Sequence, residues 1–108
     1  RGYTLNVPVR AATRAREQRS MFETALEEIG AKFRPDLVII SAGFDSHSSD
    51  PLGQLKLEDK DFISMTRSVK QWAQGACSGR VVSCLEGGYN LDTLGATVRA
   101  HVAELAAG

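Results

Sequence analysis

Two short segments carry the residue types that chemistry needs. Ser41-Ala42-Gly43-Phe44-Asp45 follows the apolar run Leu37–Ile40, and Leu85-Glu86-Gly87-Gly88-Tyr89 follows Val81-Val82. Each reads as a strand that ends in a glycine turn and presents one reactive side chain, first a carboxylate and then a phenol. A carboxylate just beyond a buried strand can bind a cation or a polar ligand. By residue type alone, Asp45 is equally a helix cap, a turn residue or a ribose contact. Two glycines before Tyr89 let the main chain approach a ligand closely. The phenol can then donate a hydrogen bond to an oxyanion and ease acyl transfer, or it is a structural tyrosine behind a tight turn. His47, two residues past Asp45, is open to two readings as well, a metal or base partner of that carboxylate and a solvated loop residue. Asp50-Pro51-Leu52-Gly53 reads as a rigid turn that holds the apolar Leu52 near Asp45. His101 falls far along the chain from both turns and reads as a surface or partly buried helix residue.

These side chains share a site only if the elements around them bring the two turns to one edge. Tyr3–Val7 alternates, is rich in β-formers and ends at Pro8, which predicts a short strand. From Thr13 to Phe33, the apolar residues Phe22, Leu26, Ile29 and Phe33 recur at helical spacing, and Pro35 prevents continuation. The unalternating run within Asp36–Ala42 predicts a strand covered on both faces, as in a parallel sheet. Residues from Gly43 to about Leu57 read as a loop. Glu58–Ala76 reads as a helix that buries Phe62, Met65, Val69 and Trp72. Arg80–Leu85 is the next buried strand, with Cys84 inside it. Asn90 is a candidate N-cap for a last helix whose apolar face is Leu91, Leu94, Val98, Val102 and Leu105. Strand and helix thus alternate three times, which predicts an α/β fold with parallel strands and flanking helices. In such sheets ligands bind beyond the carboxyl ends of the strands, where Asp45 and Tyr89 would both lie.

Composition sets the bounds. The chain has 108 residues, enough for one domain and a small core. Thirteen basic and thirteen acidic residues cancel to a formal charge of zero, which argues against a surface built for nucleic acid or anionic membrane. No apolar stretch approaches the roughly 20 residues of a membrane span. Cys77 and Cys84 fit no zinc-finger spacing and read as buried thiols. The chain opens at Arg1, inside a predicted strand. Three parallel strands make a thin sheet, so an amino-terminal part of the domain is expected to be missing. A cytoplasmic origin is the default expectation.

Taken together, four ordered segments resemble the zinc-dependent histone deacetylase family, in particular its class II and bacterial-like branch with the acetylpolyamine amidohydrolases. They are Asn6-Val7-Pro8-Val9, Pro35–His47, Asp50-Pro51-Leu52-Gly53 and Leu85–Asn90. The likeness spans nearly the whole chain and corresponds to the carboxyl-terminal part of the family's single catalytic domain. It implies an arginase/deacetylase-like three-layer fold. It also implies zinc-dependent hydrolysis of an acetyl or other acyl amide, with acetyl-lysine or acetylpolyamine as substrate class. By this resemblance Asp45 is a ligand of the catalytic zinc, and Tyr89 is the phenol that polarises the carbonyl. Leu52 is a wall of the acyl-lysine tunnel, and Gly87 and Gly88 shape its floor. His47 resembles a common residue of the motif that does not bind metal.

The family's other zinc ligands and its general-base histidine pair have no counterpart here. Hydrolytic zinc needs three protein ligands and an open position, so the isolated chain is expected to be inactive. The alternative of a different class is a non-catalytic α/β binding or interaction module, with Gly87-Gly88 receiving a phosphate at a helix N-terminus.

Overall fold

The computed structural model describes residues 4–43, 57–87 and 91–107. Its element order is α1 (Ala15–Lys32), β1 (Val38–Ala42), α2 (Asp59–Cys77), β2 (Val81–Leu85) and α3 (Leu91–Ala106). The two strands pair in parallel, with Val38 opposite Val81, Ile40 opposite Ser83 and Ala42 opposite Leu85. A parallel pair requires a crossover, and α2 supplies it.

Helix α2 owes its position to both ends. At its start the fully buried Asp61 accepts the Glu58 backbone N–H through Oδ2 at 2.9 Å, which satisfies a donor the helix leaves open. Its Oδ1 lies 3.0 Å from Arg19 Nε of α1, an ion pair whose N–H is not aligned on the oxygen. At its end, Ser78 and Gly79 both take positive φ, 57° and 77°, and the Gly79 N–H returns to the Ala73 carbonyl at 3.0 Å. That left-handed pair turns the chain straight into β2. Farther along α1, Trp72 of α2 crosses at Gly30, where a Cβ would sit 3.0 Å from the indole Nε1. The missing side chain is what lets the two helices meet there.

The core lies on one face of the sheet. Ala42, Leu57 and Phe62 form its buried centre, with Ile40 of β1, Met65 of α2, and Leu94 and Val98 of α3 packed against it. The opposite face is bare among the described residues. Ile39 is 65% exposed and its register partner Val82 49%. Expected cover on both faces of β1 is therefore corrected to cover on one. Cys84 corrects in the same way: it is exposed on the strand, while Cys77 is buried, and both are free thiols.

Three further expectations change. Residues 4–10 form no strand, and Tyr3 lies outside the described residues, so the described sheet has two strands rather than three. Alternation can supply β propensity there, but a strand also needs an edge to pair with. Phe33 ends α1 as its C-cap residue and is exposed, leaving Phe22, Leu26 and Ile29 as the packed stripe. On α3, Val102 is 54% exposed and the buried positions are Thr97 and His101. No helix among the described residues is long and apolar enough to cross a membrane.

Removing the Asp61 carboxylate takes away one half of the capping box that Glu58 and Asp61 form at the start of α2 and leaves Arg19 facing an empty buried site. Because Arg19 is partly solvated, the cost falls below that of breaking a fully buried pair. Asp61→Ala is expected to lower unfolding stability by about 2–3 kcal/mol, read from urea denaturation. A change under about 0.5 kcal/mol, the range of an ordinary surface substitution, would remove Asp61 from this role.

Candidate functional site

The sheet register decides where the two motif turns begin. Ala42 and Leu85 are the last paired residues of their strands, and the next residue on β2, Glu86, donates its N–H to the Ala42 carbonyl at 2.9 Å. The segments starting at Gly43 and Glu86 therefore leave the sheet side by side, one hydrogen bond apart, at the carboxyl edge. Gly87 is described at this edge and is half-buried. Asp45, His47, Leu52, Gly88, Tyr89 and Asn90 lie outside the described residues, so the structure describes the roots of both turns and not their tips. Among the described residues no three His, Cys, Asp or Glu side chains gather to hold a metal.

Directly behind this edge sits a polar cluster that spans the core. His101 of α3 is 6% exposed. Its Nδ1 is 2.8 Å from Thr66 Oγ1 of α2, and its Nε2 is 2.9 Å from Ser83 Oγ of β2. Thr66 already donates its one hydroxyl proton to the Phe62 carbonyl at 2.7 Å. Its oxygen therefore accepts from the ring, which puts the imidazole proton on Nδ1. Nε2 is then the acceptor for the Ser83 hydroxyl. Both ring nitrogens are engaged by a neutral imidazole, and burial pushes its pKa below the ordinary 6.5.

This cluster corrects the reading of His101 as a surface or partly buried residue. The signal was in the sequence: Leu94, Val98, His101 and Leu105 are spaced four, three and four, so His101 sits in register with the apolar stripe. What the sequence did not display was the pair of partners, 35 and 18 residues away, that makes burial of an imidazole tolerable. A cavity of about 330 Å³ adjoins the cluster, reaching from α1 and α2 to Gly43. Phe22, Ile40, Phe62 and Met65 make much of its wall, and Thr66 and His101 line it too.

A sequence profile of the "Histone deacetylase domain" matches residues 1–105. The chain belongs to the histone deacetylase family. It is 37% identical over 97 residues to histone deacetylase 14, chloroplastic, of Arabidopsis thaliana, which covers 90% of this chain and 23% of that protein. It is 34% identical over 91 residues to a probable deacetylase of Archaeoglobus fulgidus, covering 84% of this chain and 25% of the relative. Among solved structures, the HDA15 HD domain superposes with a TM-score of 0.83 at 33% identity, over 99% of this chain and 30% of that one. An acetylpolyamine aminohydrolase from Burkholderia pseudomallei gives 0.81 at 25% identity, over 98% and 29%. The α/β fold is thus that of the deacetylases and acetylpolyamine aminohydrolases, and the chain spans about a quarter of the length of these curated relatives.

The neutral ring predicts a pH dependence. Between the lowered folded-state value and 6.5 the unfolded chain binds more proton, so stability rises with pH across that window. The contribution is whole above 6.5 and is lost as pH falls through the folded-state pKa. The urea midpoint is expected to drop from about pH 7.5 to about pH 5.5, and to drop less in His101→Gln. Equal drops in both proteins would contradict the assignment.

Proposed function

We propose that residues 1–108 are the carboxyl-terminal part of a single catalytic domain that hydrolyses an acetyl or related acyl amide with the help of zinc. Water adds to the amide carbonyl, the carbon–nitrogen bond breaks, and acetate and a free amine leave. Acetyl-lysine and acetylpolyamine are the substrate class. The observation that carries this reading is the family match over residues 1–105, whose two motif segments start one hydrogen bond apart at the sheet edge.

In this proposal Asp45 is one zinc ligand, and the rest of the domain contributes the others. The described residues gather no ligand set of their own, and one carboxylate does not hold catalytic zinc. Bound zinc supplies Lewis acidity to the carbonyl and lowers the pKa of water. Tyr89 donates its phenolic hydrogen bond to the oxygen that gains charge as the carbonyl carbon becomes tetrahedral. Leu52 packs along the acyl-amine stem, and Gly87 and Gly88 leave the main chain low enough for the substrate to pass. The parallel register contributes what these side chains cannot, a common origin for both turns.

In the full-length protein, Tyr89→Phe is expected to lower turnover by about 10²–10³, the scale of one oxyanion donor. Turnover equal to wild type would take Tyr89 out of the reaction. Asp45→Ala is expected to abolish stoichiometric zinc, read by elemental analysis of the purified protein. Full zinc occupancy in that variant would contradict ligation. The isolated 108-residue chain supplied with zinc is expected to release no acetate from acetyl-lysine peptides, and release above the buffer rate would show that the missing ligands are dispensable.

A further inference from the structure

Polar contacts at three levels tie α3 and the residue that follows it to α2, and they rise together along two helices running the same way. Thr97 donates to Asp59 Oδ1 at 2.6 Å, His101 meets Thr66 at 2.8 Å, and Lys70 bonds the Ala107 carbonyl at 2.6 Å and the Glu104 carbonyl beside it. Arg67 adds an ion pair to Glu104 at 2.7 Å on the exposed side. Of these contacts the middle one continues into the sheet. Through Ser83, His101 joins α3 to β2 across a separation of 18 residues in the chain.

That closure differs from ordinary packing. Apolar contacts such as Leu94 and Val98 on the core tolerate sliding of a helix along its axis. A ring held at both nitrogens does not, because each bond has one length and one direction. The imidazole therefore sets the axial position of α3 against β2, and with it the distance between Gly87 and the start of α3. The opposite root is fixed independently, by the Glu86 N–H on the Ala42 carbonyl.

We propose that His101 is a positioning residue: by bridging Ser83 of β2 and Thr66 of α2 from α3, it fixes α3 against the sheet and so holds Gly87 and the start of α3, between which Gly88 and Tyr89 lie in the chain, at the edge where Gly43 leaves β1. The claim rests on the proposed deacetylase reading for its effect on turnover and on the described geometry for its hold on α3. His101 does not touch substrate in this account. Geometry held this way matters because a misplacement of about 1 Å in a reacting group can cost a large factor in rate.

The test uses the full-length protein and three variants. Ser83→Ala removes the donor to Nε2 while leaving the imidazole in place. Ser83→Thr restores a hydroxyl. Lys70→Ala removes a contact between α2 and α3 that does not reach the sheet. Ser83→Ala is expected to lower kcat about tenfold, the scale of one hydrogen bond, with KM unchanged, and to speed amide hydrogen exchange in the segment 86–91 by a similar factor. Ser83→Thr is expected to recover both. Lys70→Ala is expected to lower Tm and leave kcat and that segment's exchange as in wild type.

Unchanged exchange in Ser83→Ala, or equal effects from Lys70→Ala, would overturn the positioning claim. Faster exchange with unchanged kcat would overturn its part in the reaction. Should Tyr89→Phe leave turnover intact, the deacetylase reading falls, and the exchange comparison still decides whether His101 holds α3 against the sheet.

Discussion

Residues 38–42 and 81–85 pair in parallel, so both strands must enter the sheet at one end and leave it at the other. The rest of the described architecture is built on that constraint. An antiparallel pairing would send Asp45 and Tyr89 to opposite edges. The parallel one starts their turns from adjacent positions, and it also dictates α2, because two parallel strands cannot be joined by a hairpin. The helix that makes the crossover then brings Thr66 under the sheet, where it meets His101. The same backbone decision thus produces the site's edge and the polar cluster behind it.

Polar groups do unusual structural work in so small a core. Asp61 is wholly buried and joins the start of α2 to α1. Thr97 and His101 are buried on α3, and each has a partner on α2. Apolar burial supplies most of the driving force in any such domain, but it is indifferent to sliding. Directional bonds at Asp61, Thr97 and His101 fix how far each helix has advanced along its neighbour. These groups are inexpensive to bury only because each has its partner, which is why their loss costs more than their count implies.

The elements were legible where local pattern controls them. The run Leu37-Val38-Ile39-Ile40 marked β1, Pro35 marked the boundary before it, Gly79 marked the boundary between α2 and β2, and helical spacing marked α1 and α2. Both motif segments were readable as following strands, and the parallel register puts their first residues, Gly43 and Glu86, at one edge of the sheet. Legibility ended where the answer depended on something distant. Ile39 and Val82 looked doubly buried because their sequence is uniformly apolar, yet burial depends on whether a second layer is there to cover them. Val102 read as part of the apolar face of α3 and His101 as a surface or partly buried residue, the reverse of their burial. Only Thr66 and Ser83, remote in the chain, make the histidine the better choice. The alternation at Tyr3–Val7 offered β propensity without a neighbouring edge, and no strand formed over residues 4–7. Asp45 and Tyr89 lie outside the described residues, and the roles proposed for them rest on family likeness and on the adjacent strand ends that precede them.

The central claim is that the two turns build one zinc site in the complete domain. It is tested most directly by anomalous diffraction at the zinc edge from crystals of the full-length protein. The account predicts a zinc peak about 2 Å from an Asp45 carboxylate oxygen, with the Tyr89 hydroxyl on the same side of the sheet edge. A zinc peak bound elsewhere, with Asp45 turned away from it, would contradict the account.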